Sequence, residues 1–122
     1  MKFLKRILGK KKKPYTYEAD GFGVRNKNVD FMKDKAFASA YEWSAHFEWA
    51  GKTSPWTHVD LRWRSHICVW AAAQALHLDG DFCECGVDTA IFSGVIAKYL
   101  DFAKLDRKFF LFDTYEGIPE VE

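Results

Sequence analysis

Between residues 81 and 112 the spacing of apolar side chains changes twice, and this limits what the chain can fold into more than any other feature. Residues 81–87 carry Phe82, Cys83, Cys85 and Val87 with Glu84 and Gly86 inserted, a pattern that reads as a short buried strand ending at Gly86. Residues 90–100 set Ile91, Val95 and Tyr99 beside Phe92, Ile96 and Leu100. Two adjacent rows at four-residue spacing are the mark of a helix, here expected to pack on a sheet. Asp101–Arg107 is a polar connector, and Phe109–Phe112 is a continuous apolar run, as expected of a parallel strand covered on both faces. Asp113 ends that run, and Gly117 and Pro119 mark a loop. Strand, helix and strand within about thirty residues make one βαβ unit, whose crossover is expected to be right-handed.

Upstream the pattern is mostly helical. Residues 58–77 place Val59, Trp63, Ile67, Trp70 and Ala71 on one stripe, with Asp60 expected in the first turn of the helix, where its charge suits the dipole. Asp79-Gly80 ends it. Residues 31–50 predict a second helix, with Phe37, Ala40, Tyr41, Ser44 and Phe47 at three- and four-residue spacing, Asp30 as its cap and Gly51 as its stop. Lys52–Trp56 is a connector. Residues 14–30, with Pro14, Gly21, Gly23, Asn26 and Asn28, read as loop.

The charge is unevenly placed. The chain of 122 residues carries a net +1, yet residues 1–13 hold seven Lys/Arg and no acid, leaving 11 basic against 17 acidic residues in the remainder. A basic tail on an acidic body is not the whole-domain field that nucleic acid requires, so no nucleic-acid partner is expected. Within the tail, Leu4, Ile7 and Leu8 share a helical face with Phe3 beside them. So short a segment reads first as a solvated tail; the alternative is a membrane-peripheral contact with anionic lipid. No run is long enough to span a membrane, and the interrupted N-terminus is not a signal peptide, so a cytoplasmic location is expected. The odd set Cys68, Cys83 and Cys85 forms no disulfide framework. Cys83 and Cys85 read as buried small hydrophobes sharing one face of a strand. His46, His58, His66 and His77 lack the spacing of a helical metal site and read as surface or satisfied core residues. Arg62, Arg64 and His66 read as a solvated helix face, with an anionic substrate as the alternative partner. Trp43, Trp49, Trp56, Trp63 and Trp70 read as core and lid packing.

Two positions carry chemistry. Gly86, at the junction of strand and helix, allows a tight turn and lets a ligand approach the backbone. The helix after it offers free N–H groups and a positive dipole end to an anion. Asp113 ends the next strand, where an acid in doubly wound folds accepts hydrogen bonds from ribose hydroxyls. Together they describe a nucleoside-containing cofactor at the carboxyl edge of a sheet. Glu84, an acid inside an apolar strand, is costly to bury without a partner and so belongs with them.

The stretch Gly80-Asp81-Phe82-Cys83-Glu84-Cys85-Gly86-Val87, followed by Phe110-Leu111-Phe112-Asp113-Thr114-Tyr115-Glu116-Gly117-Ile118-Pro119, resembles the macrocin O-methyltransferase family of class I S-adenosylmethionine-dependent methyltransferases. The Trp63-Arg64-Ser65-His66 helix is similar to the one preceding this motif there, and the resemblance covers roughly residues 56–120. It implies an α/β, Rossmann-like methyltransferase fold, represented here by N-terminal helices and the first βαβ unit. With the patterns read above it divides the chain into three regions: a basic amphipathic tail over 1–13, a loop and N-terminal helical region over 14–57, and the start of the cofactor-binding domain over 58–122. It implies S-adenosyl-L-methionine as cofactor, with Glu84 and Gly86 bordering the methionine moiety, Asp113 holding the ribose, and Thr114 and Tyr115 flanking the adenine. The reaction would move a methyl group to a hydroxyl of a sugar or other small-molecule acceptor.

Two departures matter. The family usually carries further glycines where this chain has Thr89-Ala90-Ile91. Its metal-binding acids and candidate base lie downstream of the second motif, so no residue here is assigned as catalytic base or metal ligand, and the chain is expected to be incomplete. A nicotinamide-dependent enzyme is disfavoured by the lack of G-x-G-x-x-G. The alternative from another class is a non-catalytic remnant or interaction module that self-associates through an unfinished sheet edge into a homo-oligomer.

Overall fold

Asp20 and Gly21 adopt left-handed backbone, φ 48° and 71°, and turn the chain back on itself. A two-residue turn with both φ positive matches the twist of a hairpin. It joins β1 (Tyr17–Ala19) to β2 (Phe22–Val24), paired antiparallel with Glu18 opposite Gly23. The reading of residues 14–30 as loop is therefore corrected, and the Asp-Gly pair was the signal for it. The computed structural model describes residues 14–46, 48–49, 52–53 and 58–116. The basic tail 1–13, Gly51 and the loop at Gly117 and Pro119 lie outside the described residues.

A 3-10 turn over Asp30–Lys33 leads into α1 (Lys35–Ala45). Asp34, not Asp30, caps α1: its Oδ1 accepts from the backbone N–H groups of Ala36 at 2.8 Å and Phe37 at 3.1 Å. Asp30 instead takes the ammonium of Lys33 at 2.6 Å. The helix expected over 31–50 is thus shortened at both ends, because the chain beyond it forms a second antiparallel hairpin, β3 (Glu48–Trp49) with β4 (Lys52–Thr53). Phe37, Ala40, Tyr41 and Ser44 are buried as expected; Phe47 lies outside the described residues.

The long helix, α2, runs Arg62–Ala75. Asp60 stands ahead of it rather than in its first turn, accepting the Arg62 backbone N–H at 3.1 Å and pairing with the Arg62 guanidinium at 2.6 Å. Its buried face is corrected too. Ser65, Val69 and Ala72 are buried, whereas Ile67 and Trp70 are 53% and 59% exposed. The buried row lies two residues from the expected stripe, which at 100° per residue is nearly the opposite side. Trp63 is covered by the first hairpin, its ring stacked on Phe22 at 4.5 Å. Trp43 and Trp70 are exposed, not core.

The strand–helix–strand unit forms as read: β5 (Phe82–Cys85), α3 (Ile91–Tyr99) and β6 (Phe109–Phe112), with β5 and β6 parallel and Phe82 opposite Phe109. α3 packs on both α1 and α2, so its main partners are helices rather than the sheet. Ile91, Val95 and Ile96 join Phe37, Tyr41, Leu61 and Val69 in one core. Ser44 Oγ donates to the Ile91 carbonyl at 2.8 Å and ties α1 to α3. The Tyr41 hydroxyl accepts the Leu61 N–H at 2.9 Å and ties α1 to the start of α2. Phe82, Phe102 and Phe109 form an aromatic cluster under one face of the two strands. Among the described residues nothing covers the other face: Cys83, Cys85, Phe110 and Phe112 are exposed there. The expectations that both cysteines are buried and that β6 is covered on both faces are thereby overturned. A two-stranded sheet with its helices on one side leaves the alternate residues open. The thiols of Cys83 and Cys85 do share a face, with Sγ atoms 3.9 Å apart. No helix among the described residues is long and apolar enough to cross a membrane.

Candidate functional site

Parallel pairing brings the carboxyl ends of β5 and β6 together, and the groups singled out in the sequence meet there. The Gly86 N–H donates to the Phe112 carbonyl at 2.8 Å, extending the ladder to the turn. Gly86 then adopts φ 77°, and an added Cβ would stand in open space with no atom within 4 Å. Its backbone is therefore bare toward solvent, and a side chain there would be strained. Asp88 at φ 48° and Ala90 at φ 59° continue the turn in left-handed backbone. The left-handed backbone at Ala90 is a conformation that glycine adopts without strain and a residue with a Cβ does not. It is the residue preceding α3 and offers no side-chain cap.

Asp113 links the two strand ends. Its Oδ2 accepts the Asp88 N–H at 2.9 Å and its Oδ1 accepts the Tyr115 N–H at 2.9 Å. These bonds, that from Asp88 foremost, hold its carboxyl below the usual carboxylate range, so it is ionised at neutral pH. Oδ1 also takes the Thr114 hydroxyl at 3.5 Å, which leaves Oδ2 as the oxygen with acceptor capacity to spare. Thr114 and Tyr115 follow at the exposed edge; Tyr115 takes φ 57° and its hydroxyl donates to the Leu111 carbonyl at 3.0 Å.

Glu84 departs from this group. It sits on the covered face of β5, beside Ser93 in the first turn of α3 and near the thiol of Cys68. Burial raises its carboxyl above the ordinary value of 4.5, against the smaller opposing effect of the Ser93 hydroxyl and N–H. Its Oε2 is buried with no hydrogen-bond partner among the described residues. Glu84 supports the turn from behind and does not line the cleft in front of it. Its raised carboxyl makes the folded chain bind more protons than the unfolded chain between the ordinary and the raised values. Its contribution to stability is therefore full below about pH 4.5 and lost as pH rises through the folded value. Urea midpoints measured from pH 4 to 8 should thus fall less steeply in Glu84→Gln than in the parent chain. Parallel profiles would show that the burial of Glu84 is not felt as a charge.

The cleft itself, of about 260 Å³, runs from Gly86, Asp88 and Thr89 to Phe92 on α3, Arg64 on α2 and Asp20 on the first hairpin. Arg64 Nε lies 2.5 Å from Asp20 Oδ2. The sequence reading of Arg64 as a solvated helix face missed this placement, and nothing in local spacing could have revealed it, because Asp20 and Arg64 are 44 positions apart. Arg64 is the single cation lining the cleft among the described residues. Arg62 is engaged by Asp60, and His66 is stacked on Phe31 elsewhere. The described residues contain no group of three His, Cys, Asp or Glu able to hold a metal ion.

The site is thus a glycine turn and an acid at one carboxyl edge of a parallel strand pair, with a cation facing them. No family model, curated protein or solved structure matches the chain.

Proposed function

We propose that this edge binds S-adenosyl-L-methionine and that the chain serves methyl transfer to a hydroxyl of a sugar or other small molecule, on a Rossmann-like methyltransferase fold begun by the βαβ unit. One observation carries the reading. Gly86 and Asp113, from consecutive parallel strands, meet at the same edge and are joined through the Asp88 N–H to Asp113. The bare backbone of Gly86 suits the methionine moiety lying close against it. The free acceptor capacity of Asp113 suits ribose hydroxyls. Thr114 and Tyr115 stand where they would flank the adenine. Bound there, the cofactor would supply a sulfonium methyl group. Arg64, across the cleft, offers a carboxylate of cofactor or acceptor a bidentate partner once Asp20 yields it. The donor groups present do not fit a divalent ion, and no step is derived through one.

Calorimetric titration of the chain with S-adenosylhomocysteine tests this. Saturable binding is expected, weakened at least about tenfold in Asp113→Ala by loss of charge-assisted hydrogen bonds and weakened likewise in Gly86→Val, with far-UV circular dichroism unchanged. No saturable binding by the parent chain, or equal affinity in both variants, would sink the assignment.

The open face with Cys83, Cys85, Phe110 and Phe112 favours a second reading, an interaction module that self-associates. Sedimentation equilibrium distinguishes the two: that reading requires a concentration-dependent oligomer, dispersed by Phe112→Lys, and no cofactor affinity.

A further inference from the structure

A second hollow, of about 520 Å³, opens at the far end of α3. It is bounded by Tyr99, the last residue of that helix, whereas the candidate cofactor edge adjoins Ile91 at its start. At 1.5 Å per residue the two ends are about 12 Å apart. The hollow therefore owes nothing to the cofactor reading.

Its walls are aromatic. The His66 ring stacks on Phe31, with centroids 4.4 Å apart and planes inclined by 14°, and meets Phe37 edge-on. Tyr99 closes one side and Trp70 the rim. Trp70 is 59% exposed and makes no ring contact among the described residues, so a face of its indole is open to a ligand. The charge is acidic. Asp34 and Asp30 line the hollow, Asp30 being paired with the Lys33 ammonium outside it, and among the described residues no Lys or Arg lines it. The Phe37 N–H bond and the other α1 donors hold the Asp34 carboxyl below the usual range, while its Oδ2 also accepts the Tyr99 hydroxyl at 3.2 Å. Burial pushes the His66 imidazole down and so favours the neutral ring, against a smaller opposing effect of the Asp34 carboxylate.

We propose that this hollow is a binding site for a small organic cation, a methylated ammonium whose charge faces Asp34 and whose methyl groups lie on Trp70 and Tyr99. The aromatic faces and the lack of a lining cation suit this class. An anion meets two carboxylates, and a bare metal ion meets ring faces and a carboxylate already accepting three hydrogen bonds. The volume falls within the usual range for small-molecule sites, about 300–1,000 Å³.

Choline and its uncharged carbon isostere, 3,3-dimethylbutan-1-ol, decide the question. Calorimetry of the full chain should show saturable choline binding and at least about tenfold weaker binding of the isostere, the loss expected from a desolvated cation–aromatic contact. Trp70→Ala removes an exposed side chain and should weaken choline about tenfold without changing the circular dichroism. Asp34→Asn keeps the acceptor that caps α1 and should weaken choline while sparing the isostere. Asp113→Ala should leave choline binding unchanged. Equal affinity for choline and the isostere, full affinity in Trp70→Ala, or no saturation by about 50 mM choline, far weaker than specific small-ligand affinities, would overturn the proposal. Should Asp34→Asn fail to fold, the isostere and Trp70→Ala still give the answer.

Discussion

Phe37→Ala is expected to remove a large share of the stability of the described part of the chain, about 3–5 kcal/mol. Phe37 is 2% exposed and sits in the first turn of α1, in the core shared with α2 and α3. Its ring lies edge-on to Phe31 at 5.9 Å and beside Tyr41 at 6.3 Å, so truncation strips contacts from two elements at once. Such a change costs about 3–5 kcal/mol, transfer and cavity together. A domain of this size has about 5–15 kcal/mol in all. The expected result is a urea midpoint lowered by at least about a fifth, rising to loss of the cooperative transition in circular dichroism at the low end of that range. A shift equivalent to less than about 1 kcal/mol would place Phe37 outside the core, below even mild core truncations.

The second large effect concerns Arg107. The last residues of α2 and the loop after it present carbonyls with acceptor capacity to spare, that of Ala75 taking only the Leu78 backbone N–H at 3.0 Å. The Arg107 guanidinium collects four of them: Ala75 at 3.3 Å, Leu76 at 3.1 Å, Leu78 at 2.6 Å and Gly80 at 3.1 Å. It also sets a positive charge at the negative end of the α2 dipole. Because Arg107 stands two residues before β6, the same contacts hold the start of β6 against the start of β5. There the Phe82 N–H donates to the Lys108 carbonyl at 2.9 Å, and the Lys108 N–H to Asp81 at 2.8 Å. Arg107→Ala is expected to cost about 2–3 kcal/mol, as when hydrogen bonds to a charged group are lost. Arg107→Lys should restore less than half, since an ammonium cannot span four acceptors as the planar fork does. Denaturant midpoints give the energy. Amide exchange at His77 and Leu78, whose N–H groups close the turns at the end of α2, should quicken in both variants. Unchanged exchange would mean that the loop is held without Arg107.

These two residues differ in how far the chain itself announces them. Phe37 falls on a helical spacing with Ala40, Tyr41 and Ser44, and all four are buried. Arg107 is one more basic residue in a polar connector, and its acceptors lie 27 to 32 positions upstream. No periodicity reports a side chain that serves the end of another element.

The same division runs through the candidate site. The order strand, helix, strand was legible because each of Phe82–Cys85, Ile91–Tyr99 and Phe109–Phe112 declares its type through local spacing. Parallel pairing follows, since a helix between two adjacent strands must carry the chain back to the starting end. Gly86 and Asp113 were therefore placed at one edge by pattern alone. The direction of Glu84 was not legible. Strand alternation sets Phe82 and Glu84 on one face and Cys83 and Cys85 on the other, but which face the helices cover depends on packing at a distance.

Local spacing alone thus places the elements of the βαβ unit, makes their strands parallel, and brings a glycine turn and an acid to one edge. The tertiary structure decided which faces are used. α2 is apolar on two sides, and the side carrying Ser65, Val69 and Ala72 is buried while the side carrying Ile67 and Trp70 is left outside. Small side chains let α3 approach closely, and bulky indoles on that side would hold it away, so the choice follows from volume and close packing rather than hydrophobicity alone. The pairing of Arg64 with Asp20 and the gathering of His66, Trp70, Asp34 and Tyr99 around one hollow follow from that choice of face.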